Sequence, residues 1–109
     1  KGYGDKFALE TDPFMAASGA DILITDTWTS MGEEAEKEER KKIFKDYQIN
    51  RQLLAAANAG AMVQHCLPAY RGQEITEEVF EEHADEIFNE AENRLHAQKA
   101  VMVKMMKKD

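Results

Sequence analysis

Apolar and polar positions fall in blocks along the chain, and the blocks read in turn as helices and strands. Asp12 followed by Pro13 supplies an N-cap and a proline at the first helical position, which predicts a short helix over residues 14–18 that Gly19 ends. DILIT at 21–25 is a short apolar run with β-branched members, the pattern of a buried strand. GEEAEKEERKKIFKD at 32–46 puts most of its acids first and most of its bases last, an order that suits the dipole of a solvated helix. Ile49 and Leu54 flank Asn50 as a hydrophobic staple around an N-cap, opening a helix through residues 53–57. A second strand is predicted at 61–65, Thr76 caps a helix from Glu77, and Ile87 with Phe88 reads as the centre of a third short strand. A long helix over 90–108 carries Ala91, Leu95, Gln98, Met102 and Met106 on one stripe and lysines at its end. Met102, Met105 and Met106 are expected to pack in a core, as flexible thioethers on helices usually do. Alternating strands and helices imply a layered α/β fold, a parallel sheet flanked by helices.

Composition narrows the class. A chain of 109 residues holds one domain with a modest core, and 43% hydrophobic with 32% charged residues is globular rather than disordered. No apolar run approaches the roughly 20 residues of a membrane span. A formal net charge of −7 argues against a nucleic-acid partner, and an anionic substrate would need local positive charge. The single cysteine cannot form an internal disulfide, which is compatible with a reducing compartment. No signal or transit segment is visible from Lys1 onward.

The candidate chemistry sits at strand ends. Asp26 follows the first predicted strand, Cys66 the second, and Asn93 with Arg94 lies just beyond the third. In a parallel sheet these positions share the carboxyl edge, where open α/β sheets bind ligands, so a carboxylate, a thiol and a guanidinium would converge on a polar pocket. Taken singly, each has a commoner structural reading: a buried thiol, a loop-capping aspartate, a surface arginine. Their joint placement carries the functional one. His65, Cys66, His83 and His96 lack the spacing of a zinc site. His65 is expected to be a satisfied core histidine, badly placed as a base for Cys66 because adjacent strand residues face opposite ways. No glycine-rich phosphate cradle is present.

DTWTSMGEEAE at 26–36, HCLPAYRG at 65–72 and EAENRLHAQKA at 90–100, in that order and spacing, closely resemble ornithine carbamoyltransferase over nearly the whole chain. SMG after the aspartate and tryptophan favours the ornithine enzymes over relatives that use putrescine, aspartate or acylated ornithine. The resemblance implies the aspartate/ornithine carbamoyltransferase fold, a doubly wound parallel sheet of which this chain holds part. It also implies transfer of the carbamoyl group of carbamoyl phosphate to the side-chain amine of L-ornithine, giving L-citrulline and phosphate. By the same resemblance Asp26 holds that amine, Ser30 and Met31 contact the amino-acid end of ornithine, Cys66 and the Leu67 backbone line the carbamoyl site, and Arg94 helps bind carbamoyl phosphate. Asp26 and Cys66 are the catalytic pair. No metal or organic cofactor is implied. Homotrimers, or multiples of them, are expected, in the cytoplasm or, for an animal source, the mitochondrial matrix.

The chain departs from the family in extent. A complete carbamoyltransferase is roughly three times as long, with two domains joined by helices. Residues 1–109 are therefore expected to be an incomplete ornithine-binding domain, with the carbamoyl phosphate domain absent. Lys1-Gly2-Tyr3 resembles the end of an early strand and a further strand is expected near residues 7–10, without the helix that normally separates them, so the chain is expected to be truncated or to lack residues between Gly4 and Asp5. Such a fragment is expected to be inactive alone. The alternatives are a noncatalytic module that keeps an ornithine pocket, or a carbamoyltransferase for another amine such as putrescine.

Overall fold

The computed structural model describes residues 4–29 and 36–107. Two parallel strands, β1 (Ile22–Thr25) and β2 (Met62–His65), form its sheet among these residues, paired in register from Ile22 with Met62 to Thr25 with His65. The crossover between them carries α2 (Lys37–Phe44), a 3-10 turn at Lys45–Tyr47 and α3 (Arg51–Ala56); α1 (Pro13–Ala17) precedes β1, and α4 (Glu77–Glu82) and α5 (Ala84–Met106) follow β2. This is the α/β arrangement that the alternating blocks predict.

Local chemistry sets most boundaries. The Asp12 carboxylate accepts the Phe14 and Met15 amides at 2.9 and 3.3 Å, and Gly19, at φ +74°, ends the α1 segment in a conformation that favours glycine. Asn50 accepts the Leu53 amide at 2.9 Å, and Thr76 accepts that of Val79 at 3.4 Å. In α2, Arg40 pairs with Glu36 and Lys41 with Glu38, and no residue of the helix is buried, as its charge pattern predicts.

The core lies on one face of the sheet. Leu23 and Val63 from the strands meet Ile49, Leu53, Ile75, Val79, Phe80 and Ile87, all buried. Ile22 and Ile24 point the other way and stay exposed, the alternation that a pleated strand imposes.

Three expectations are corrected. Ile87 and Phe88 are not a strand; they belong to the first turns of α5, which begins six residues before the predicted start. Asp85 and Glu86 near the helix N-terminus suit its dipole, and only Ile87 of the apolar pair is buried. The place of a third strand beside β2 is taken by a side chain: Glu86 Oε2 accepts the Val63 amide at 2.8 Å and bonds His83 Nδ1 at 2.9 Å. Burial raises the Glu86 carboxyl, but the Val63 amide and His83 outweigh that and leave it below the ordinary value. Second, residues 7–10 form no strand; Phe7 and Leu9 are exposed and no neighbouring strand among the described residues supplies a ladder. The early-strand reading of residues 1–3 lies outside the described residues. Third, Met102, Met105 and Met106 are 54%, 80% and 79% exposed rather than core. At about 1.5 Å per residue the 23 residues of α5 extend about 35 Å, and its second half, Leu95 included, runs past the domain with apolar side chains uncovered.

Candidate functional site

Parallel pairing in register brings the two strand-end residues together. Thr25 and His65 are the last partners of the ladder, so the chain leaves both strands at the same level and the next residues, Asp26 and Cys66, stand side by side. The Cys66 Sγ donates to Asp26 Oδ1 at 3.3 Å, a contact between residues forty positions apart. The same carboxylate oxygen accepts the Thr27 amide at 2.7 Å.

These contacts set the charge state of the pair. The Thr27 amide is the main influence that holds the Asp26 carboxyl below the usual carboxylate range, against a smaller opposing effect of burial. Burial is also the main influence that raises the Cys66 thiol, reinforced by the hydrogen bond to Asp26 and its negative charge and partly offset by Arg94. At neutral pH the pair therefore holds an ionised carboxylate and a protonated thiol. Arg94, one residue short of the middle of α5, is exposed, and its charge favours the thiolate of Cys66. Of the predicted meeting of carboxylate, thiol and guanidinium, the first two are in contact, while Arg94 stands within α5 rather than beyond a third strand and acts on the thiol through its charge. Alkylation of Cys66 by iodoacetamide should accordingly titrate above the free-thiol value of about 8.5. In Asp26→Asn the midpoint should move down, because the charge that opposes the thiolate is gone; an unchanged or higher midpoint would contradict the pairing.

The segment after β2 is tightly fixed. Leu67, which packs partly buried against the core, adopts φ +54°, and the Leu67-Pro68 peptide is cis. A left-handed conformation at a non-glycine residue costs on the order of 1–3 kcal/mol and persists only where its surroundings determine it. Here the Leu67 amide donates to His65 Nδ1 at 2.9 Å, and His65 Nε2 bonds Glu74 Oε1 at 3.0 Å. Farther along, Gly72, at φ +83°, turns the chain back so that its amide meets the Ile75 carbonyl at 2.8 Å. Ile75 is fully buried, and the amides of Ile49 and Thr76 tie the two segments together through the Glu74 and Ile49 carbonyls.

Two further contacts draw the segment after β1 to the same edge. Trp28 stacks on Phe44 with centroids 6.3 Å apart, and Lys37, at the start of α2, lies 5.4 Å from the Tyr70 ring centroid. Ser30 and Met31, between these anchors in sequence, lie outside the described residues.

His65 is the satisfied core histidine that its strand position predicts, fully buried with both ring nitrogens engaged. One ring nitrogen nevertheless lies within 4.8 Å of donor atoms of Asp26 and Cys66. Binding a cation through all three groups would require breaking the bond to Leu67 or to Glu74. Glu74 went unforeseen in the sequence. A glutamate is almost never fully buried unless paired, and its partner His65 stands nine positions earlier with no periodicity to link them.

Comparison with known proteins follows the same lines. Residues 1–105 match the family described as aspartate/ornithine carbamoyltransferase, Asp/Orn binding domain. The chain is 52% identical over 103 residues to the ornithine carbamoyltransferase of Methanospirillum hungatei, covering 94% of this chain and 34% of the relative. With the ornithine carbamoyltransferase of Nitratiruptor sp. it shares 57% identity over 100 residues, 92% of this chain and 32% of the relative. It thus spans about a third of the length of these curated relatives. Among solved structures, the anabolic ornithine carbamoyltransferase of Campylobacter jejuni superposes with a TM-score of 0.81 at 52% identity, over 84% of this chain and 30% of that one.

Proposed function

The chain belongs to the aspartate/ornithine carbamoyltransferase family, and from that premise we propose that it forms the ornithine-binding part of an enzyme that moves the carbamoyl group of carbamoyl phosphate onto the side-chain amine of L-ornithine. The observation that carries this reading is the Asp26–Cys66 contact at the sheet edge, with its ionised carboxylate beside a protonated thiol. A carboxylate there suits a primary ammonium. The ammonium becomes a nucleophile only after losing a proton, and the Asp26–Cys66 pair is placed to relay it. The freed amine attacks the carbamoyl carbon, the carbon–oxygen bond to phosphate breaks, and citrulline and phosphate leave. Cys66 and the Leu67 backbone line the carbamoyl group, while Arg94 supplies positive charge for the phosphate and the developing oxyanion. Ser30 and Met31 hold the amino-acid end of ornithine.

The grip on carbamoyl phosphate is completed by a second domain, and the working enzyme is a homo-oligomer. The uncovered apolar residues of α5 and the outer face of β1 support a larger assembly, since these are surfaces such an assembly would cover. The test is a citrulline assay on the full-length protein with ornithine or putrescine as acceptor, beside the 109-residue chain alone. Carbamoylation of ornithine by the full-length protein, with no product from the isolated chain, is expected; preference for putrescine, or citrulline from the isolated chain, would contradict the reading.

A further inference from the structure

Leu67 lies between the thiol and a cis-proline, and its amide donates to His65, which is bonded in turn to Glu74. We propose that His65 and Glu74 are positioning residues for the carbamoyl site, acting through the backbone of Leu67. This rests on the function proposed above. Because the Leu67 amide donates to His65 Nδ1, that nitrogen carries no proton, and a neutral imidazole then carries its proton on Nε2. Glu74 Oε1, 3.0 Å away, is the acceptor that stabilises this tautomer. The same oxygen accepts the Tyr70 amide at 2.6 Å, so one carboxylate fixes the chain on both sides of Pro68. Both side chains are fully buried, which keeps them from substrate and makes the arrangement rigid. With its amide engaged by His65, Leu67 has its carbonyl oxygen as the backbone group to present.

The two ring nitrogens can be separated by substitution in the full-length enzyme. Asn at position 65 places an amide oxygen where Nδ1 stands and keeps an acceptor for Leu67, but does not reach Glu74. Gln reaches Glu74 with an amide donor and leaves Leu67 without its acceptor. His65→Gln is therefore expected to lower kcat by about 10–100-fold, the effect of small misplacements at reacting groups, while keeping the higher Tm of the two. His65→Asn should keep kcat within about tenfold of the unmodified enzyme in spite of a lower Tm. Glu74→Gln, which retains the shared acceptor and replaces an oxygen that has no protein partner, should restore nearly full kcat where Glu74→Leu loses it. Losses of kcat that follow Tm across the four variants, or a Glu74→Leu enzyme with unchanged kcat, would overturn the positioning role alone. Absence of citrulline from the unmodified enzyme would instead overturn the functional reading and this inference together.

Discussion

Asp26→Asn in the full-length enzyme is expected to lower kcat/KM for ornithine by about 10²–10⁴-fold, the range for loss of a positioned proton-transfer group. The variant keeps the shape of the side chain and an oxygen for the Thr27 amide, so the strand end should remain intact. What it removes is the negative charge proposed to face the ammonium, leaving the Cys66 thiol a neutral amide oxygen as its acceptor. The KM for carbamoyl phosphate should change little, because that substrate is met by Cys66, Leu67 and Arg94 in the proposed arrangement. Steady-state kinetics with each substrate varied in turn check this, and a loss below tenfold would assign the rate to groups elsewhere.

Ile87→Ala should destabilise the protein by about 2–5 kcal/mol, the cost of emptying a fully buried aliphatic site. Ile87 belongs to the core cluster with Val63, Val79 and Phe80, so the cavity opens where α5 meets β2 and α4. Seven residues later the same helix carries Arg94, and loosening the anchor should weaken the influence of that guanidinium on the site as well. Urea denaturation measures the first effect. A change under about 1 kcal/mol would place Ile87 at a site able to collapse around the loss, contrary to its complete burial.

Local signals in the sequence proved sufficient for elements whose boundaries are made locally. Asp12, Asn50 and Thr76 cap the helices they precede because a short polar side chain can reach amides two or three residues on, whatever the rest of the fold does. The two strands are legible from their apolar runs, and their parallel pairing follows from the block order, which is why Asp26 and Cys66 could be expected at one edge; the register that sets them side by side is seen only in the structure. Ile87 and Phe88 are ambiguous in the sequence because two adjacent apolar residues fit a strand or a helix equally; the bond from the Ile87 amide to the His83 carbonyl four residues back, at 3.1 Å, decides for the helix. The methionines of α5 were misread for a different reason. An apolar stripe states that a face can be covered, not that this chain covers it. The part of the site least visible in the sequence is the support behind it. The left-handed Leu67, the buried Glu74 and the tautomer of His65 depend on hydrogen bonds that close only after the segment following β2 has folded back.

The most direct test of the central claim, that carboxylate and thiol act as one unit, is a double-mutant cycle on kcat in the full-length enzyme with Asp26→Asn, Cys66→Ala and both together. Residues that act as a unit give losses that do not multiply. The double variant is expected to be about as slow as the slower single variant. A double variant slower by the product of the two separate losses would mean that Asp26 and Cys66 work independently, and the relay assigned to their contact would be wrong.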